Sequence, residues 1–329
     1  MHSRKTVSRM FVAAGLVLSC AAACWAAEPD TGLEVIPVRQ NFYMIAGAGG
    51  NIGVQIGSDG VVLVDSGSQA SADQVLAALK KITPLPVRYI VNTGPEADHV
   101  GGNGKLAKSG LTIFTNALGN ANFGNAMTNG GAASIMAHDS ILKRMSAPTG
   151  KTSAFPVDTW PTEAFYTERK AMRMNDEGIE ITHQPSAHSD ADSFVLFRGS
   201  DVVAAGDILD TTRFPVIDIA NGGSIQGEID ALNRLVDLAI PPGPFIYKGG
   251  GTYVIPGHGR LCVQLDVVNY RDMVVIVRDN IADLIKRGMT LSQIKEASPA
   301  KAYETEYGTQ PGVTSEFIES IYKSLTAKK

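Results

Sequence analysis

The chain has 329 residues, with 29 Lys+Arg against 33 Asp+Glu, and is 44% hydrophobic and 19% charged. That balance excludes a disordered polymer, which needs lower hydrophobicity and a larger charge imbalance, and fits a globular protein with a sizeable core. Three cysteines are too few for a disulfide-stapled scaffold, and no run of basic residues is long enough to mark a nucleic-acid surface.

Arg4, Lys5 and Arg9 precede an apolar run from Met10 to Ala23 and small residues up to Ala27. A positive start, an apolar stretch too short to span a bilayer comfortably and a small-residue exit read as a signal peptide over residues 1–27. The expected mature chain, residues 28–329, is a single domain, periplasmic or secreted, with no membrane association. Cleavage removes three basic residues and no acidic one, so 26 Lys+Arg stand against 33 Asp+Glu and the net charge becomes −7. Cys20 and Cys24 leave as well, and Cys262 alone cannot make an internal disulfide.

Short β-type runs follow: Leu33 to Val38, Phe42 to Ala46, Ile52 to Ile56 and Val61 to Val64, separated by Gly, Asn, Asp and Ser. Val75, Leu79 and Ile82 then fall on one face of a helix, with Ser71 as N-cap and Asp73 in its first turn. Val87 to Val91 is a strand running into a Gly-rich turn with Asp98 and His99. Leu111 to Phe114 reads as strand, Ser134 to Met145 as helix, and residues 151–168 as a long surface loop whose Phe155, Trp160, Phe165 and Tyr166 suit an apolar lid. A second set of strands covers Ala171 to Met174, Gly178 to Thr182, Phe194 to Arg198 and Val202 to Ala205. A helix near Ile225 to Leu238, a strand from Tyr253 to Ile255 and a long helix through Val267, Val274, Val277, Ile281 and Leu284 complete the pattern. Lys286, Arg287 and Gly288 end that helix in the way the dipole and a left-handed cap favour. The repeated order predicts an α+β protein, an αββα four-layer sandwich.

Histidine is scarce, at positions 2, 99, 138, 183, 188 and 258. A lone histidine is best read as a hydrogen-bonded structural residue. Here His99, His188 and His258 all sit at predicted strand ends beside Gly, Asp or Ser, and a fourth strand ends at Gly206-Asp207. Strand ends converging on one edge of a sandwich would put imidazole and carboxylate together, a donor set for zinc, iron or manganese.

The segments from Val61 to Gly67, from Asn92 to Asn103, from Ala187 to Asp190, from Ala205 to Asp207 and from Pro256 to Gly259 together resemble the metallo-β-lactamase-fold hydrolases. That resemblance covers about Val35 to Tyr270. It implies metal ligands at Asp98, His99, His188, Asp207 and His258. The family pattern H-x-H-x-D-H is altered, because Gly94 and Glu96 stand at the two leading histidine positions. One ligand set, Asp98, His99, Asp207 and His258, stays whole, which implies a single zinc, with iron or manganese as alternatives. The implied function is a hydrolase of lactam, lactone or thioester bonds in small molecules, using a metal-activated water. Asp98, His188 and Glu96 are its expected catalytic residues, with His188 or Glu96 as base. The competing expectation is an inactive binding protein that keeps the fold. Asp65 is expected to hydrogen-bond near the site, Asp190 and Asp210 to be reserve carboxylates, and Cys262 to be buried and inert.

Overall fold

A computed structural model of the protein describes residues 32–113, 131–243 and 250–327. The expected leader, Cys20 and Cys24 lie outside the described residues. Among these residues, the first sheet begins with the meander β1 (Glu34–Arg39), β2 (Phe42–Ala46), β3 (Ile52–Gly57) and β4 (Gly60–Val64). After helix α1 (Ala72–Ile82), β5 (Val87–Val91) pairs parallel to β4. The single turn α2 (Ala97–Val100) and helix α3 (Asn103–Ser109) then lead to β6 (Ser134–His138), helix α4 (Asp139–Ser146) and a small hairpin, β7 (Pro148–Thr149) and β8 (Thr152–Ser153). Strand β9 (Glu163–Phe165) closes the sheet by pairing parallel to β6.

The second sheet runs antiparallel through β10 (Arg169–Met174), β11 (Glu177–Gln184), β12 (Asp192–Phe197) and β13 (Val202–Asp210). Helix α5 (Ile225–Leu238) carries the chain to β14 (Tyr253–His258), parallel to β13, and β15 (Cys262–Val263) forms the edge. Helices α6 (Gln264–Lys286), α7 (Leu291–Glu296), α8 (Glu304–Tyr307) and α9 (Val313–Thr326) follow.

Three apolar clusters hold the layers. Val62, Val64 and Phe42 of the first sheet meet Val195, Phe197 and Ile255 of the second, with Phe42 edge-on to Phe197 at 4.8 Å. Leu63 and Ile90 face outward onto Val75 and Leu79 of α1. Val203 and Val254 face Leu232 of α5, Tyr270 and Val274 of α6 and Phe317 of α9. Each buried side chain of this size contributes about 1.5–3 kcal/mol. The result is helix, sheet, sheet, helix, the αββα sandwich the patterning predicts.

Most predicted elements lie where expected; the departures have local causes. Residues 134–146 are a strand and then a helix, because Ile135, Met136 and Ala137 are buried in succession, a short apolar run whose periodicity is the same in strand and helix. His138 sits at the switch, where its Nδ1 accepts from the Ser140 backbone N–H as helix cap. The segment 151–168 is more than a loop, since it holds the β8 half of the hairpin and the sheet edge β9. Leu111 to Ile113 is not a strand, and Phe114 lies outside the described residues. Ser71 stands at the head of α1 without a side-chain cap bond; Ser68 caps the preceding 3₁₀ turn instead. Strand β13 continues past Ala205 to Asp210 through a register shift at Gly206, whose φ is +55°.

Candidate metal centre

The site assembles where the ends of β4, β5, β13 and β14 meet. After β5, Pro95 and Glu96 lead into the single turn α2, and the Glu96 carbonyl accepts from the His99 and Val100 N–H groups. That turn sets Asp98 half-exposed and buries His99. The His99 ring lies between two carboxylates, Nδ1 2.8 Å from Asp65 Oδ2 and Nε2 3.0 Å from Asp207 Oδ1. Asp65 also accepts from the Thr93 N–H at 2.8 Å and its hydroxyl at 2.6 Å. Its φ of +65° is unusual for a residue with a Cβ, and these bonds hold it there. A backbone bridge joins the strand ends: Gly50 N–H donates to the Asp98 carbonyl, and the Asn51 side chain donates to the carbonyls of Pro256 and Gly259.

Two ligand-like groups share this pocket. Asp98, His99 and His258 offer atoms within 4.8 Å of one another, and so do Glu96, His188 and Asp207. Asp207 links them, because its Oδ1 also lies 3.4 Å from His258 Nε2, while Asp98 Oδ2 lies 3.3 Å from that same nitrogen. His188 is aimed by its Nδ1–H, which donates to the Val216 carbonyl at 2.8 Å, and its Nε2 faces Glu96 Oε1 at 3.4 Å. A histidine aimed through its second nitrogen is the arrangement metal ligands use.

The altered motif has a steric logic. A Cβ added to Gly94 would lie 2.2 Å from Glu96 Oε2, so the Glu96 carboxylate folds back into space that a side chain at 94 would take. That oxygen is buried and has no hydrogen-bond partner among the described residues, as is Asp192 Oδ1, 3.9 Å from the same point. Imidazoles with carboxylates in both groups, and orphaned buried oxygens beside His188, are donor sets that fit a metal cation.

Neighbouring carboxylates and histidines shift one another's protonation across the pocket. The Asp207 and Asp98 hydrogen bonds lift His258 to about 10. Burial opposes protonation of His188, but Glu96, Asp192 and Asp207 outweigh it and lift it to about 10 as well. His99 is likewise pushed down by burial and raised further by Asp207 and Asp65, ending well above its ordinary value. Burial would raise Asp207, yet His99 and His258 hold it well below the carboxylate range. The Asp98 carboxyl is lowered by its bond to His258.

The structure thus brings Asp98, His99, Asp207 and His258 together, with Glu96 and His188 alongside. His138 and His183 lie apart from these groups, stacked on each other at 3.6 Å, with His183 Nε2 bonded to the Asp190 carbonyl. Asp190 pairs with Arg144, whereas Asp210 lines the same pocket as Glu96 and His258. Among the four aromatics of 151–168, Phe155 walls a cavity beside Asp98, Phe165 is buried in the sheet and Tyr166 is exposed. Cys262 is buried, and burial pushes its thiol up to about 12.

Sequence reasoning missed Asn51, Asp192, Arg213 and Glu228. Asn51 ends a Gly-rich turn, a usable signal; the others carry none. Glu228, in the first turn of α5, is fully buried with no partner on either oxygen among the described residues, and burial followed by Asp192 raises it well above its ordinary value. The folded state therefore holds that proton where the unfolded chain has lost it, and stability falls as pH rises from the ordinary glutamate range. In metal-free protein, Glu228→Met is expected to stabilise by about 1–3 kcal/mol at pH 8 and by much less at pH 4. Urea midpoints at the two pH values measure this, and equal or negative shifts contradict it.

The sequence pattern of the metallo-beta-lactamase superfamily matches residues 45–242. No curated protein sequence matches the chain significantly. Among solved structures, a double mutant of the sec-alkyl sulfatase PisA1 superposes with a TM-score of 0.61 at 15% identity, covering 90% of this chain and 51% of that one. The stereoselective inverting sec-alkylsulfatase Pisa1 from Pseudomonas sp. gives 0.59 at 14%, covering 91% and 50%. A metallo-beta-lactamase from Pontibacter korlensis gives 0.51 at 14%, covering 74% and 99%. The chain spans about half the length of the alkylsulfatases, and identities this low speak for the fold alone. The sequence match over residues 45–242, on a sandwich whose strand ends gather three histidines and their carboxylates, establishes that the chain belongs to the metallo-beta-lactamase superfamily.

Proposed function

We propose that the mature protein is an exported, metal-dependent hydrolase of small molecules, holding one ion, zinc by preference, on Asp98, His99, Asp207 and His258. The observation that carries this reading is the position of Asp207, 3.0 Å from His99 and 3.4 Å from His258, with Asp98 against the same His258 nitrogen. A bound ion supplies Lewis acidity and lowers the pKa of water. Glu96 would then receive the water's proton, since its Oε2 has no hydrogen-bond partner among the described residues, and His188, oriented by Val216, would hold that carboxylate in place through Oε1. Asp65 orients His99 through Nδ1. The bond attacked is a carbonyl bond of the ester or amide type (lactam, lactone or thioester); the likeness to alkylsulfatases adds sulfate esters to the panel to be assayed. Export rests on the amino-terminal leader pattern. Among the described residues, no helix is long and apolar enough to cross a membrane.

The Glu96, His188 and Asp207 group favours a second reading, with a second ion in that position. Metal analysis separates the two: one equivalent supports the first and two equivalents the second. Turnover of the panel must vanish with chelator and return with metal; tight ligand binding without turnover would instead mark a binding protein. Zinc affinity is expected to go on rising with pH beyond neutrality, toward about 10, because His99 and His258 are both raised and must lose protons to act as ligands.

A further inference from the structure

One cation near the site is unused by this chemistry. Arg213 lines a polar cavity of about 170 Å³ together with Glu96, Asp98, His188, Asp207 and His258. Its Nε is buried and has no hydrogen-bond partner among the described residues. Its ion-pair contact is a loose one, 3.9 Å to the largely exposed Glu316. Asp210, on the same cavity wall, accepts through Oδ1 from the backbone N–H and hydroxyl of Thr212, and no ion pair joins it to Arg213 among the described residues. The backbone is fixed on both sides: the Tyr270 hydroxyl donates to the Arg213 carbonyl, and the Phe214 N–H donates to the Tyr307 carbonyl. A guanidinium cannot shed its charge, and its planar donors match an oxyanion.

A second cavity of about 590 Å³ also has Asp98 on its wall, and it is mostly apolar, bounded by Ala70, Ala97, Phe155 and Pro156. Asp98 thus stands on the wall of both cavities, one holding a positioned cation and one with mostly apolar walls.

We propose that Arg213 is an oxyanion-recognition residue and that the substrate is an amphiphilic ester, with its oxyanion on Arg213, its scissile bond beside Asp98 and an apolar chain toward Phe155. The proposal rests on the hydrolase reading and narrows its substrate class. Carboxylate and sulfate share the required chemistry.

The test uses zinc-loaded full-length protein and three matched probes: mono-octyl succinate, the neutral octyl butyrate of the same length, and the short monomethyl succinate. Octyl sulfate provides the sulfate arm. For the wild type, kcat/KM for mono-octyl succinate is expected to exceed that for octyl butyrate by about tenfold or more, as a charge-assisted bond allows. That ratio should fall toward one in Arg213→Gln, recover in part in Arg213→Lys, and stay high in Phe155→Ala, which should instead lose the preference for octyl over methyl. Zinc content, read in every variant, should not change. A ratio unaffected by Arg213→Gln overturns the proposal. If the wild type turns over none of the probes, the hydrolase reading is decided separately by the chelator-sensitive substrate panel, and calorimetric binding of octyl sulfate and mono-octyl succinate decides the subsite. Binding weakened about tenfold by Arg213→Gln supports it, and equal binding in wild type and variant overturns it.

Discussion

Asp207→Ala is expected to strip the metal and lower kcat/KM by on the order of 10³-fold or more, since a bound ion supplies several kcal/mol of transition-state stabilisation. Among the described residues, Asp207 is the carboxylate common to both ligand groups: it contacts His99 and His258 and also belongs with Glu96 and His188. Removing Asp98 takes away one ligand of one group, whereas removing Asp207 weakens both. Asp207→Asn keeps the shape and discards the charge, so its deficit measures the electrostatic share. Metal content by mass spectrometry, with circular dichroism to certify the fold, reads the result. Asp207→Ala protein that is folded, fully loaded and active would show that the chemistry lies elsewhere.

Gly94→Ala tests the altered motif with a single methyl group. The added Cβ would sit 2.2 Å from Glu96 Oε2, a contact no pair of atoms tolerates. The obstructing atom is the tip of a flexible side chain, so Glu96 turns away and the fold loses less than about 1 kcal/mol. The consequence falls on the Glu96 and His188 pair, now 3.4 Å apart. We expect kcat to drop about 10²-fold, in line with loss of a positioned base, with metal on the Asp98 group retained. If Glu96 is instead a ligand of a second ion, the same variant loses one of two equivalents. The double variant Gly94→His with Glu96→His rebuilds the family pattern and should raise zinc content above that of the wild type. Gly94→Ala with unchanged kcat and unchanged metal content would remove Glu96 from the site's chemistry.

The candidate ligands were legible in sequence because each lies near the end of an apolar run, even though β13 carries on past Asp207 to Asp210. His188, Asp207 and His258 adjoin Ser or Gly, and Asp98-His99 lie between Gly94-Pro95 and Gly101-Gly102, and that punctuation marks chain reversals. Asp65 was legible in the same way, at the end of the fully buried β4. The gap at Gly94 was visible, but its meaning was not, since the return of Glu96 over the vacant position is a matter of side-chain packing. Arg213 and Glu228 left no trace. Arg213 follows β13 in an ordinary polar turn, and Glu228 sits in the first turn of α5, where an acidic residue is routine and exposed on most helices.

Local rules acting over a few residues settled where most strands and helices lie and which residues end them: alternation, helical spacing and turn chemistry need no distant partner. The stacking of the two sheets settled the remainder. It placed β9 at an edge, joined Asn51 to the His258 turn and set Asp207 between histidines 108 and 51 positions away in the chain. Such contacts arise only when the inter-sheet core closes, because burial of Phe42, Val64 and Phe197 fixes the spacing between strands that share no sequence signal.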